Sequence, residues 1–123
     1  MVLLDSNLVI YALQGRKQRV LAFISQHEIC VSVITKIETL GYHRLEEQQE
    51  EALSNLFNGL PVLPITDRVV GETIRLRQLK KLSLEDALIA GTARAHGLTP
   101  ATHNVSDFTE IPGLTVVDPL ANV

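Results

Sequence analysis

The sequence predicts an α/β fold, a three-layer α/β/α arrangement around a central parallel sheet of four to five short strands. Two observations carry this. Short apolar runs of strand length alternate with amphipathic stretches of helical length. That alternation builds a parallel sheet covered on both faces, with right-handed crossovers. In addition, Ala87 to Ala95 reads Ala-Leu-Ile-Ala-Gly-Thr-Ala-Arg-Ala. It is apolar or small nearly all the way round, and a helix of that kind is buried on most sides.

The elements follow in order. Val2-Leu3-Leu4 is an apolar run that stops at Asp5-Ser6-Asn7, as a buried parallel strand does. Leu8 to Leu13 is expected to be helical and to break near Gly15. Lys17 to Gln26 is expected to form a second helix, with Val20, Leu21 and Ile24 on one face. Ile29 to Val33 is a second strand, and Thr35 to Tyr42 a helix with Ile37 and Leu40 inward. Leu45 to Leu60 is a longer amphipathic helix whose acidic run, Glu46 to Glu51, is a solvated face. Pro61 to Ile65 is a short strand between prolines, which belongs at a sheet edge. Thr66-Asp67 caps a helix to about Lys81, and the buried helix from Asp86 follows. Leu98 to Thr102 and Leu114 to Val117 are the last strands.

Composition narrows the class. At 123 residues the chain is long enough for one compact domain over 1–123 and too short for two. Hydrophobic residues make up 46% and aromatics 4%, so the core is aliphatic. The lone Cys30, in an apolar run, is a small buried side chain rather than half of a disulfide. The N-terminus lacks a basic leader and no run reaches membrane-spanning length, so a cytoplasmic protein without a membrane anchor is expected. The P-loop, the Gly-rich dinucleotide fingerprint and the Gly-x-Ser-x-Gly elbow are all absent, and no Cys/His cluster suits zinc.

Four carboxylates stand out. Asp5, Glu38, Asp86 and Asp107 each fall just beyond a strand or at the start of the helix after one. Ligands of such sheets sit off the carboxyl ends of the strands. Each acid also has a local explanation. Glu38 follows Thr35, and Asp86 follows Ser83, at capping-box spacing. Asp107 suits a helix N-terminus, and Asp5 suits a turn. The set behaves differently, because carboxylates within roughly 4–6 Å repel unless a cation intervenes. A hard ion such as Mg²⁺ relieves that repulsion, taking one or two carboxylates and keeping waters. Net charge is −3, but setting the four acids aside leaves ten against 11 Lys and Arg, so charge does not decide for or against a nucleic-acid substrate.

The segments LLDSNLVIYAL, VITKIETLGY, LSLEDALIAGTARAHGL and ATHNVSDF, in this order, resemble the PIN-domain family. Length and order most resemble its small VapC-type toxins from bacterial toxin–antitoxin pairs. The resemblance implies a PIN-like fold and an Mg²⁺- or Mn²⁺-dependent endoribonuclease. It makes Asp5, Glu38, Asp86 and Asp107 the catalytic, metal-binding acids. Asp5, Asp86 and Asp107 would bind one or two ions, with Glu38 holding a coordinated water or the second ion. Ser6, Thr102 and Asn104 match the family's polar positions and would tune the acids or meet substrate. The implied partners are RNA, a small cognate antitoxin and a second copy of the chain. One departure is His103, where the family often has Arg, and it reads as an exposed loop residue. Glu85 reads as a capping or supporting acid, with a role beside the metal left open. The rival reading is a PIN-like module that binds nucleic acid or a partner without cutting.

Overall fold

The computed structural model describes residues 1–15 and 18–121. Four parallel strands, β1 (Val2–Leu4), β2 (Ile29–Ser32), β3 (Val62–Leu63) and β4 (Thr99–Ala101), form one sheet in the order β3-β2-β1-β4. Leu3 pairs with Cys30 on one side and with Pro100 on the other. β3 is an edge strand, as its flanking prolines require. The expected strand over Leu114–Val117 shrinks to one parallel bridge, Ala101 to Val117. Hemmed between Pro112-Gly113 and Pro119, it offers only the Val117 N–H, to the Pro100 carbonyl, and the Val117 carbonyl, to the Thr102 N–H, both at 3.0 Å.

The helices are α1 (Ser6–Gln14), α2 (Gln18–Gln26), α3 (Val33–Leu40), α4 (Glu47–Asn58), α5 (Asp67–Leu79) and α6 (Leu84–His96). A 3₁₀ turn over Val105–Asp107 follows β4. Strand alternation splits the core in two. Leu3 and Cys30 pack with α5 and α6 through Leu76, Ile89, Ala90 and Ala93. Leu4, Ile29 and Val31 pack on the other face with α1, α2 and α4 through Leu8, Val9, Val20, Leu53 and Phe57. These are the three layers the alternation predicts, and Cys30 is buried among them.

Two inward faces differ from expectation. Leu21 is 42% and Ile37 58% exposed. In α2 the core is met by Val20 with Phe23 and Ile24. In α3 the cap is Ser32, whose Oγ accepts the Ile34 N–H at 3.2 Å, so the Thr35–Glu38 capping box does not form. Thr35 and Thr39 face inward instead. Their hydroxyls are satisfied there: Thr39 Oγ1 donates to the Thr35 carbonyl at 2.8 Å, and Ser6 Oγ donates to Thr35 Oγ1 at 3.4 Å. This leaves Ile37 and Glu38 outside. α4 starts later than expected, with Glu46 and Gln49 forming a capping box, and Ala52 lies exposed.

α6 meets the expectation of burial: from Ala87 to Ala95 only Arg94 is not buried. Gly91 makes this possible. A Cβ there would overlap Thr73 Oγ1 of α5 and lie 3.0 Å from the Thr73 backbone nitrogen, so the two helices approach backbone to backbone. Ser83 Oγ caps α6 by accepting the Asp86 N–H at 3.1 Å. Close packing on one side and the cap at the end hold the first turn of α6 at the carboxyl edge of the sheet.

Candidate active site

At that edge lies an acidic pocket of about 280 Å³. β1 runs straight into Asp5, which caps α1 by accepting the Leu8 N–H on Oδ1 at 3.0 Å. Glu38 comes from the outer face of α3, Asp86 from the first turn of α6, and Asp107 from the end of the 3₁₀ turn. All four acids line the pocket, together with Ser6 and Asn104. Thr102 sits behind the wall, 1% exposed, where its hydroxyl interacts with the Asp5 carboxylate and its Oγ1 accepts the Asn104 N–H at 3.0 Å. Ser6 ties α1 to α3 through Thr35.

Glu85 is the acid that spacing alone undervalues. It lines the same pocket and hydrogen-bonds to Glu38. Adjacent acids at a helix start read as dipole partners; only the fold brings α3 alongside α6, and with it Glu38 to Glu85. Asn7, Ile10, Thr39 and Ser83 also line the pocket without any motif to announce them. His103 is outside the lining, exposed, with Nδ1 3.1 Å from Asp118 Oδ2.

The electrostatics follow from this crowding. Burial pushes the Asp5 carboxyl above its ordinary range; Thr102 and the Leu8 N–H pull it back, and Glu85 and Asp86 add to the rise. Asp86 is raised first by burial and then by Asp107 and Glu85, against the Ser83 hydrogen bond. Glu38 is pushed up to about 7 by lost hydration, by its hydrogen bond with Glu85, and by the charges of Glu85 and Asp86. Among the described residues, no Lys, Arg or His lines the pocket to offset them.

This is an all-oxygen donor set with excess negative charge. Among the described residues, no three His, Cys, Asp or Glu side chains form a ready-made metal cage. A hydrated hard cation would need only one or two of these carboxylates as direct ligands.

Comparison with known proteins places these residues in context. The family described as PIN domain matches residues 2–114. Toxin FitB of Neisseria gonorrhoeae is 29% identical over 127 residues, covering 88% of this chain and 91% of that protein. A toxin–antitoxin complex from Klebsiella pneumoniae contains a chain that superposes with a TM-score of 0.85 at 28% identity, covering 99% of this chain and 100% of that one. VapBC-1 from nontypeable Haemophilus influenzae gives 0.84 at 25% identity, covering 98% and 100%. Among the described residues, no helix is long and apolar enough to cross a membrane.

Proposed function

Because this chain belongs to the PIN domain family and gathers its acids into one pocket, we propose that it is a divalent-metal-dependent endoribonuclease, the toxin of a toxin–antitoxin pair. The observation that carries the reading is the convergence of Asp5, Glu38, Asp86 and Asp107, with Glu85, on a pocket that, among the described residues, no cationic side chain lines. Such a cluster costs stability unless a cation joins it, and in Asp5, Glu38 and Asp86, raised first by burial, the neighbouring acids add to the rise.

Mg²⁺ or Mn²⁺, when bound, supplies positive charge against the phosphate and makes water a better nucleophile near neutral pH. Asp5, Asp86 and Asp107 would hold the ion. Glu38, at the exposed rim, would take the proton of the attacking water as its oxygen bonds to phosphorus and the opposite P–O bond breaks, the leaving oxygen taking a proton from solvent. The Leu8 N–H and Thr102 fix the Asp5 carboxylate from behind, so it does not reorganise during the reaction. Ser6 and Asn104 offer short polar groups to substrate at the wall.

The similarity to Toxin FitB and to chains solved in toxin–antitoxin complexes supports a cognate antitoxin as partner; a second copy of the chain and action in the cytoplasm belong to the same proposal. Incubating purified protein with total RNA and with DNA, in Mg²⁺, Mn²⁺ or EDTA, tests the class. RNA cleavage that EDTA abolishes is the expected outcome. Binding of RNA without cleavage in either metal would replace the reading with that of a non-catalytic nucleic-acid module.

A further inference from the structure

We propose that Lys80 is a positioning residue for Asp107, holding from outside the pocket the one site acid that neither lies in an α-helix nor caps one. The inference rests on the reading of Asp107 as a site acid. Asp5 caps α1, Glu38 lies within α3 and Asp86 within α6, whereas Asp107 ends a single 3₁₀ turn. Besides the buried Phe108 ring, that turn is held by its own short bonds, Asp107 N–H to the Asn104 carbonyl at 3.1 Å and the Phe108 and Thr109 N–H groups to the Val105 carbonyl at 2.9 and 3.1 Å. A lone turn of this kind is weak on its own, since 3₁₀ hydrogen bonds have poor geometry.

Lys80 reaches it from the end of α5. Its Nζ donates to the carbonyls of Thr109 at 2.8 Å, Asp107 at 3.3 Å and Ser106 at 3.5 Å. An ammonium has three N–H donors, and all three are spent on this one segment. A substrate phosphate would have to compete for them, so Lys80 acts on the loop rather than on RNA. The anchor itself is fixed. Lys80 leaves α5 in extended conformation, its N–H still bonded to the Leu76 carbonyl at 3.0 Å, and Leu76 is core. A chain of contacts thus runs from the core through α5 and Lys80 to the backbone that carries Asp107. The neighbouring Lys81 is exposed and lies with Lys80 on a separate recess that also meets Asp86 and Asp107.

Lys80→Met keeps the stem and deletes the ammonium; Lys80→Arg restores donors; Lys80→Gln is the second deletion should Met perturb folding. Amide hydrogen exchange at Asp107, Phe108 and Thr109 is compared with that at Val9, in α1. In Lys80→Met, exchange at the three turn amides is expected to rise about tenfold with Val9 unchanged, and Lys80→Arg to recover most of it. Mn²⁺ affinity is then measured for Lys80→Met, Asp107→Asn and the double variant. Lys80→Met is expected to weaken binding about tenfold, and to add no further loss in the Asp107→Asn background. Unchanged exchange at 107–109 overturns the proposal, as do losses that multiply in the double variant. Should the native chain bind no Mn²⁺ at all, the metal reading fails, and the exchange comparison alone decides the role of Lys80.

Discussion

Asp5 Oδ1 accepts the Leu8 N–H at 3.0 Å, so the carboxylate that opens the acidic pocket is also the cap of the first helix. One side chain thus serves fold and site, and the two roles separate by substitution. Asn preserves a cap acceptor and removes the charge; Ala removes both. Asp5→Asn is expected to fold with no loss of urea midpoint at pH 8, since it also deletes a charge that burial disfavours. Asp5→Ala is expected to be less stable than Asp5→Asn by about 1 kcal/mol, the usual value of a cap. Equal midpoints for the two variants would contradict the capping role.

The raised carboxyls set a pH dependence of stability. Glu38, pushed up to about 7, binds its proton more tightly folded than unfolded, where an ordinary Glu titrates near about 4.3. The folded state therefore holds more protons across that window, and stability falls as pH rises from about 5 through 7. Asp5 and Asp86, also raised, act with the same sign. Metal-free native protein is expected to be less stable at pH 8 than at pH 5.5. In Glu38→Gln the decline is expected to be shallower, a comparison that cancels the histidines common to both proteins. Parallel curves for the two proteins would refute the assignment.

A divalent cation is expected to reverse this. Adding Mg²⁺ or Mn²⁺ at pH 8 to about 100 times its dissociation constant stabilises a single site by about 2.7 kcal/mol. The gain is expected to shrink towards pH 5, as the carboxyls take up protons, and to vanish with EDTA. Thermal unfolding with and without the ion checks it. An equal shift at both pH values would mean that the ion binds elsewhere.

Gly91 supports the site from a distance. An added Cβ overlaps Thr73 Oγ1 and meets the Thr73 backbone, which cannot swing aside as a side-chain end can. Gly91→Ala is expected to cost about 1–3 kcal/mol, the range for overpacking a filled core, in spite of the better helix propensity of Ala. Urea unfolding measures it. A neutral or stabilised variant would show that α5 and α6 can part without penalty.

The sequence shows some of this plainly and hides the rest for physical reasons. The burial of α6 is written in nine consecutive residues with one charged member, Arg94, so no tertiary information is needed to read it. The edge position of β3 follows from its prolines. Ile37 misleads because apolar spacing in α3 suits two faces. Two buried threonines take the inner one, a choice made possible by hydroxyls that bond to Ser6 and to the helix backbone. The acids that line the pocket, the proposed site residues, sit at legible strand and helix junctions. Glu85 and the anchoring reach of Lys80 depend on packing between segments far apart in the chain, which no local pattern encodes.

The most direct measurement is cleavage of RNA in Mg²⁺ by the purified native chain beside Asp5→Asn, Asp86→Asn and Asp107→Asn, each shown to be folded by its unfolding midpoint. The native chain is expected to cut, and each variant to lose at least about 10²-fold in rate, the scale of losing charge stabilisation in the transition state, here through weaker hold on the ion that supplies it. Undiminished cleavage in all three variants would contradict the acidic pocket as the site of chemistry.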